Sequence, residues 1–347
     1  MAVALVTGSS GLVGSALVTH LDERGWEVHG VDNNMRRDFF GEGGDTSASL
    51  RRLRETARRF THHDLDLRDQ ARITELVRER RPELIVHAAA QPSHDLAARR
   101  PHDDFEINAL ATLHLLEAAR EWAPESPFVF LSTNKVYGDS PNRVELVELE
   151  TRWDYGNPAL REGIDESFPL DRSLHSLFGV SKAAADLLVQ EYGLNFGLPT
   201  VCFRAGCLTG SRHAAVELHG FLAYLARAVR DGLPYRVYGH KGKQVRDNLH
   251  ARDVAGAALA FAERPSAGAV YNLGGGRANS VSMLEAIARL EELTGTRLDW
   301  TYVDEPRRGD HICYISDLRR FRADYPEWEP EVSLEDMLVE LAAGAGS

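Results

Sequence analysis

Apolar runs and helical patterns alternate along the first half of the chain. Residues 2–7, AVALVT, are apolar and rich in residues that favour strands, and the glycine-containing turn TGSSGLVG follows directly. A helical pattern then extends to Gly25, and a second apolar run, WEVHGVD, ends on Asp32. A strand, a glycine turn, a helix and a second strand predict one right-handed βαβ unit.

The same alternation continues beyond this unit. We expect strands within 61–69, 83–90 and 128–138, and an amphipathic helix over 105–122. The segment ELIVHAAA is apolar throughout and ends in small residues, which is typical of a strand buried on both faces of a parallel sheet. The pattern therefore predicts an α/β protein built on a Rossmann-type doubly wound parallel sheet.

The pattern becomes less regular from about residue 163. Helices are predicted over 219–233, 282–295 and 333–343, with a strand over 298–303. These elements predict a smaller α/β substrate lobe, and a ligand would lie in the cleft between the two lobes. The predicted division assigns residues 1–165, about 172–208 and 248–275 to the Rossmann core, and about 166–171, 209–247 and 276–347 to the substrate lobe.

Composition and charge exclude several classes of function. Apolar residues make up 43% of the chain, but no apolar run reaches the roughly 18 residues that a membrane-spanning helix needs. The first residues lack a basic leader, so we expect a cytoplasmic protein without membrane contact. The net charge of −12 argues against nucleic-acid binding, and three cysteines without a Cys-x-x-Cys pair give no reason to expect a metal site.

The first turn contains the glycines of a dinucleotide-binding site. Gly8 permits the tight turn, Gly11 lets the backbone approach a pyrophosphate, and Gly14 lets the helix pack closely on the strand. Asp32 ends the next strand, where its carboxylate can accept hydrogen bonds from the adenosine ribose and would repel a 2′-phosphate. The cofactor is therefore predicted to be NAD rather than NADP. A glycine-rich turn in another kind of α/β protein is the alternative.

Further cofactor contacts are expected beside this turn and where the following strands end, because ligands of parallel sheets bind at the carboxyl ends of the strands. Asp66 follows the third predicted strand and could contact the adenine amino group. The other residues predicted to contact the cofactor are Leu12, Val13, Asn33, Leu67, Ala88, Ala89, Ala90 and Asn108.

Three segments in this order, TGSSGLVG, STNKVYGD and FGVSK, resemble those of the extended short-chain dehydrogenase/reductase family. That family contains nucleotide-sugar epimerases and dehydratases. The later segments KQVRDNLHARDVA, YNLGGG and EPRRGD also fit, so the resemblance covers nearly the whole chain. Within the family the chain is most similar to the CDP-paratose 2-epimerase group. The resemblance implies a tightly bound NAD, a transient oxidation of the substrate and a homodimer.

The resemblance also implies which residues carry the chemistry. In the family a Tyr-x-x-x-Lys pair and a Ser or Thr polarise the substrate hydroxyl, and the lysine also bonds the nicotinamide ribose. By position, the hydroxyl role falls on Thr133 and the lysine role on Lys182. The tyrosine position is occupied by Phe178, which has no proton to exchange.

Some other group must therefore accept the hydroxyl proton. We expect Lys135 to do so if burial lowers its pKa, although a contact with phosphate or substrate without proton transfer is the alternative. Tyr155 and His175 are weaker candidates. Dehydratases of the family carry Asp and Glu where this chain has Asn134 and Lys135, so the usual acid and base of dehydration are missing.

The resemblance assigns substrate contacts to the second half of the chain. Arg246 and Arg308 match arginines that bind the diphosphate of a nucleotide sugar, for which paired guanidinium donors are suited. Asn134, Glu217 and His219 are candidates for contacts with the substrate.

These assignments together predict an NAD-dependent epimerase that acts on a nucleotide sugar, most simply at C2. Two alternatives stay open. The first is a dehydratase or C4 epimerase with a relocated acid and base, and the second is a non-catalytic NAD-binding module.

Overall fold

The structure is a computed structural model, and it describes residues 1–210, 220–307 and 309–344. Its strands are β1 (Val3–Thr7), β2 (Glu27–Val31), β3 (Phe60–His63), β4 (Leu84–His87), β5 (Phe128–Thr133), β6 (Leu146–Glu148), β7 (Trp153–Tyr155), β8 (Thr200–Ala205), β9 (Cys207–Thr209), β10 (Tyr235–Tyr238), β11 (Val245–His250), β12 (Ala269–Leu273), β13 (Ser280–Ser282), β14 (Trp300–Val303) and β15 (Cys313–Tyr314). Its α-helices are α1 (Leu12–Glu23), α2 (Met35–Phe40), α3 (Ser47–Thr56), α4 (Gln70–Arg80), α5 (His94–Arg99), α6 (Pro101–Phe105), α7 (Ala111–Trp122), α8 (Leu177–Phe196), α9 (Phe221–Asp231), α10 (Ala251–Glu263), α11 (Met283–Thr294), α12 (Arg319–Asp324) and α13 (Leu334–Ala343).

A seven-stranded parallel sheet forms the centre of the larger lobe, in the order β12-β8-β5-β4-β1-β2-β3. The chain proceeds outwards from β1 in one direction through β2 and β3, and in the other through β4 and β5. A crevice therefore opens beside the carboxyl end of β1, where the strand order reverses. The sheet confirms the predicted Rossmann-type fold.

Both faces of the sheet are buried, which explains why its strands are apolar throughout rather than alternating. Ala4 and Val6 of β1 pack on one face, together with Leu17 and Leu21 of α1. Leu5, between them in the sequence, belongs to the apolar cluster on the opposite face.

Several of the predicted strands, and the helix predicted over 105–122, are shorter than the pattern suggested. β3 ends at His63, and the segment after it turns towards α4. β5 ends at Thr133, whose hydroxyl oxygen accepts a hydrogen bond from the Lys135 N–H and so begins a 3₁₀ turn. The helix expected over 105–122 contains a π-helical turn, Glu106–Leu110, before α7. Local hydrogen bonds at these ends replace the regular strand or helix pattern.

A smaller lobe packs beside the carboxyl ends of the sheet strands. Its helices α9, α11 and α13 bury a common apolar core that includes Leu225, Ile287 and Leu338. β10 pairs with β14, and β11 pairs with β9, β13 and β15. The exact division of residues between the lobes stays a prediction. None of the helices in the described segments is both long and apolar enough to cross a membrane.

Candidate functional site

A cavity of about 1010 Å³ lies between the carboxyl ends of the sheet strands and the smaller lobe. It brings together residues that are far apart in the sequence. The predicted site residues that line it are Gly8, Gly11, Leu12, Val13, Gly14, Asp32, Asn33, Asp66, Leu67, Ala88, Ala89, Ala90, Thr133, Asn134, Lys135, Phe178, Lys182 and Arg246. Glu217, His219 and Arg308 lie outside the described residues, so their predicted substrate contacts stay predictions.

The glycine turn is closed so tightly that side chains would not fit. A Cβ atom on Gly14 would lie 2.0 Å from the carbonyl oxygen of Gly8. Gly8 has a φ of +66°, and a Cβ atom there would lie 2.8 Å from the backbone nitrogen of Ala89. The turn thus presents backbone rather than side chains to the cavity, at the start of α1, as the pyrophosphate of a dinucleotide requires.

Asp32 is held at the end of β2 with its carboxylate fixed in the cavity wall. One oxygen accepts a 2.9 Å hydrogen bond from the Ser10 N–H, and the other accepts a 2.8 Å bond from the Asn34 N–H. Burial raises the pKa of this carboxyl, while the two backbone donors oppose that shift. The glycine turn and the fixed carboxylate of Asp32 on the neighbouring strand together fit the pyrophosphate and adenosine ribose of NAD.

Asn108 does not line the cavity, although it was predicted to contact the cofactor. Its side-chain oxygen accepts a hydrogen bond from the Gln91 N–H, and its amide nitrogen donates to the Gln91 carbonyl oxygen and to Ser181 Oγ. Asn108 therefore ties the segment after β4 to α8. This arrangement holds the cavity wall in place but offers no direct contact to a ligand.

Lys182 lies buried on α8, directly below the end of β5. Its amine donates a 2.6 Å hydrogen bond to the carbonyl oxygen of Leu131 and lies 4.1 Å from the centre of the Phe130 ring. Burial lowers the pKa of Lys182 to about 7, and the nearby Asp186 carboxylate limits the shift. Thr133 ends β5 and also lines the cavity, and the joint action of its hydroxyl and the Lys182 amine stays a prediction.

Phe178 lies one helical turn before Lys182 and is itself packed against a histidine. The ring centres of Phe178 and His94 are 5.1 Å apart in an edge-to-face arrangement. His94 also lines the cavity and is not among the residues predicted from the sequence. Its position directly after the strand-end segment AAAQPS was the signal available, because parallel strands end at the ligand side of the sheet.

Lys135 points towards the segment between β14 and β15. Its amine donates a 3.0 Å hydrogen bond to the carbonyl oxygen of Gly309. Burial above all lowers the pKa of Lys135, and with Asp310 opposing the shift and Arg246 adding to it, the result is a pKa of about 8. Below that pH the group is mainly an ammonium.

Arg246 lies beside Lys135 and forms an ion pair with Asp310. Its other terminal nitrogen donates a 2.6 Å hydrogen bond to the carbonyl oxygen of Val245. Burial favours protonation of Asp310, but the positive charges of Arg246 and Lys135 hold the pKa of Asp310 well below its usual range. Lys135 and Arg246 therefore place positive charge at this end of the cavity, with Asp310 as a counter-charge, an arrangement that suits a phosphate.

The two weaker candidates for the proton carrier lie elsewhere in the described structure. The Tyr155 hydroxyl accepts a 3.1 Å hydrogen bond from the Ile315 N–H inside the protein, and burial raises its pKa. The two ring nitrogens of His175 face the carbonyl oxygens of Ser173 and Val136, at 2.9 and 2.7 Å. Neither side chain lines the cavity, so both have structural roles.

Comparisons with known proteins agree on one family. The sequence profile of the NAD dependent epimerase/dehydratase family matches residues 4–274. A CDP-paratose 2-epimerase of Salmonella typhi is 33% identical, with 96% of each chain covered. A dTDP-glucose 4,6-dehydratase of Escherichia coli is 29% identical over 95% of this chain and 90% of its own. The solved structure of the UDP-glucose 4-epimerase of Thermus thermophilus in complex with NAD is 27% identical, with a TM-score of 0.78 and 98% of each chain covered.

Proposed function

The chain belongs to the NAD dependent epimerase/dehydratase family, and we propose that it is an NAD-dependent epimerase of a nucleotide sugar, acting at C2. The observation that carries this proposal is the set of side chains after β5. Thr133, Asn134 and Lys135 line the cavity and offer a hydroxyl, an amide and an amine, but no carboxylic acid for dehydration. The resemblance to a CDP-paratose 2-epimerase over almost the whole chain supports C2 as the reacting carbon.

Each residue at the end of β5 has a distinct role in this proposal. NAD, when bound, would supply the hydride chemistry, as acceptor from the sugar carbon and then as donor to its opposite face. Thr133 donates a hydrogen bond to the reacting oxygen, and Lys182 binds the nicotinamide ribose. Lys135 either exchanges the hydroxyl proton or, as an ammonium, stabilises the reacting oxygen.

The positive end of the cavity is proposed to bind the nucleotide diphosphate. Arg246 offers paired guanidinium donors, and its ion pair with Asp310 fixes the orientation of the guanidinium. Asn134 lies close enough to the cavity to contact the sugar. If the diphosphate stays bound, the oxidised sugar can turn in the cavity and present its other face for reduction.

We further propose that the protein is a cytoplasmic homodimer. Val180, Leu187 and Leu194 of α8 are exposed and follow one another at intervals of seven residues, which places them along one side of the helix. Phe196, the last residue of α8, is 50% exposed. An apolar stripe of this length on a surface helix favours burial against a second copy. Sedimentation of the purified protein would test the dimer.

Solvent-deuterium labelling tests the proposed reaction. The protein is incubated in D₂O with CDP-, UDP- and dTDP-hexoses, and the products are analysed by NMR and mass spectrometry. We expect a C2 epimer without deuterium on the ring carbon, because a returned hydride does not exchange with solvent.

Deuterium at a ring carbon would instead indicate removal of a carbon-bound proton and would contradict the proposal. Loss of water from the sugar would favour the dehydratase alternative. Bound NAD without conversion of any nucleotide sugar would favour a binding module. The variant Lys182→Met serves as a control for contaminating enzymes.

A further inference from the structure

His94 packs against Phe178, the residue at the position where the family has a tyrosine. Its ring lies edge-on against Phe178, with the two ring planes inclined at 70°. His94, Thr133, Lys135 and Lys182 all line the cavity. A titratable side chain thus lies beside the one position where the expected proton carrier is missing.

Ser176 sets the orientation of this imidazole. The serine caps the N-terminus of α8, where its Oγ accepts a 3.1 Å hydrogen bond from the Gly179 N–H. The same oxygen lies 2.6 Å from His94 Nδ1. We assign to His94 the tautomer in which Nδ1–H donates to Ser176 Oγ, which can accept two hydrogen bonds, so that the lone pair is on Nε2. Among the residues that the structure describes, Nε2 has no hydrogen-bond partner.

The surroundings keep His94 in the neutral form. Burial above all lowers the pKa of His94, and with the charges of Lys135 and Arg307, opposed by that of Asp310, the result is a pKa of about 3. Gly309 packs over the ring, since a Cβ atom there would lie 3.0 Å from Nδ1 and Cε1. The imidazole is therefore neutral near pH 7, whereas Lys135 is mainly charged.

We propose that His94 exchanges the proton of the sugar hydroxyl in place of the tyrosine that this chain lacks. This inference rests on the proposed epimerase function. In the oxidation, the O–H bond breaks and an N–H bond forms at Nε2, while the hydride leaves carbon for the cofactor and a C=O bond forms. In the reduction the hydride returns to the opposite face of the same carbon, the C=O bond becomes a C–O single bond, and the proton returns from Nε2 to the oxygen, so no other oxidant or reductant is needed. Lys135 acts as an ammonium that stabilises charge on the oxygen.

Four proteins test this inference: the wild type, His94→Ala, Phe178→Tyr and the double variant. For each one we would measure kcat, the bound dinucleotide per chain, and the affinity for CDP and UDP by calorimetry. His94→Ala should lower kcat by ~100-fold or more, the range for loss of a general base, with dinucleotide content and nucleotide affinity unchanged. The double variant should recover ~10-fold or more of the loss, because a phenol at position 178 can then carry the proton. A purely structural role for His94 would give no such rescue.

The result that would overturn the inference is a His94→Ala variant that keeps more than half of the wild-type kcat. If His94→Ala loses its bound dinucleotide, the test uses His94→Gln instead, which keeps the volume of the side chain without a titratable group. Retention of more than half of the wild-type kcat by His94→Gln would then overturn the inference. A wild type that converts no nucleotide sugar would overturn the proposed function, and the inference with it. Conversion by the wild type together with full activity of both His94 variants would overturn the inference alone.

Discussion

The side-chain nitrogen of Lys182 donates a 2.6 Å hydrogen bond to the carbonyl oxygen of Leu131. This contact fixes the amine under the last residues of β5, a strand that reaches the cavity. The lysine is buried, and its pKa of about 7 lies well below its ordinary value because burial disfavours the ammonium. Burial of this amine lowers the stability of the folded protein, because the amine is less favourably solvated than in the unfolded chain.

The first prediction concerns the variant Lys182→Met, an apolar replacement of similar length. Epimerase turnover should be lost, because the proposed ribose contact is gone. Between about pH 7 and pH 10 the unfolded chain binds a proton at Lys182 that the folded chain does not, so the free energy of unfolding rises with pH. The variant should show a smaller rise over this range in urea unfolding. An equal slope in both proteins would contradict the pKa assigned to Lys182.

The second prediction concerns Phe178→Tyr alone. With the proton carried by another group, the added phenol is not needed, and kcat should change by no more than ~10-fold. Steady-state kinetics with the best nucleotide sugar gives the answer. An increase of ~100-fold or more would mean that the wild type has no effective proton carrier.

The third prediction separates the two proposed roles of Lys135. Lys135→Ala should abolish turnover in either case. Lys135→Arg keeps a positive charge but cannot accept a proton, so it should retain measurable activity if the residue acts as an ammonium.

The pH dependence of kcat gives an independent check on Lys135. If the charged amine is required, kcat of the wild type should fall as the pH rises through about 8, and this fall should be absent in Lys135→Arg. If the neutral amine is the base, kcat should instead rise towards pH 8.

The fourth prediction concerns the glycine turn. Gly14→Ala places a methyl group 2.0 Å from the Gly8 carbonyl oxygen, and it should destabilise the protein by about 1–3 kcal/mol and release the bound dinucleotide. Gly256→Ala is the matched control. Its methyl group would meet only Trp328 at 3.6 Å inside α10, and it should stabilise the protein by up to about 1 kcal/mol. Urea unfolding and the absorbance of released dinucleotide measure both effects. Retention of the dinucleotide by Gly14→Ala would contradict the assignment of the glycine turn as the pyrophosphate site.

The fifth prediction concerns the proposed diphosphate contact. Arg246→Lys keeps a charge opposite Asp310 but removes the paired donors, so KM for the nucleotide sugar should rise by ~10-fold or more while kcat changes less. Arg264→Lys, which alters an exposed pair with Glu327, is the control and should leave KM unchanged. A similar KM for both variants would place the diphosphate elsewhere.

Local sequence determined much of the fold and of the cofactor site. The glycine turn, the acid after β2 and the apolar runs depend on residues close together in the sequence. Their spacing along the chain therefore predicts their arrangement in space. The relation of Phe178 to Lys182 is of the same kind, since four residues make one turn of α8. Element ends were less predictable, as at Thr133, because a single side-chain hydrogen bond decides where β5 stops.

Only the tertiary structure determined which side chains lie beside Phe178, at the position where the family has a tyrosine. His94 and Ser176 are 82 residues apart, and Lys135 and Gly309 are 174 residues apart, yet each pair is in hydrogen-bond contact. No periodicity in the sequence can express such a contact, because it depends on how the segments after β4 and β14 meet α8 and β5 in space. For the same reason the sequence could not show that Tyr155 and His175 lie away from the cavity. Both side chains can carry a proton, but in the folded chain they form hydrogen bonds with backbone groups.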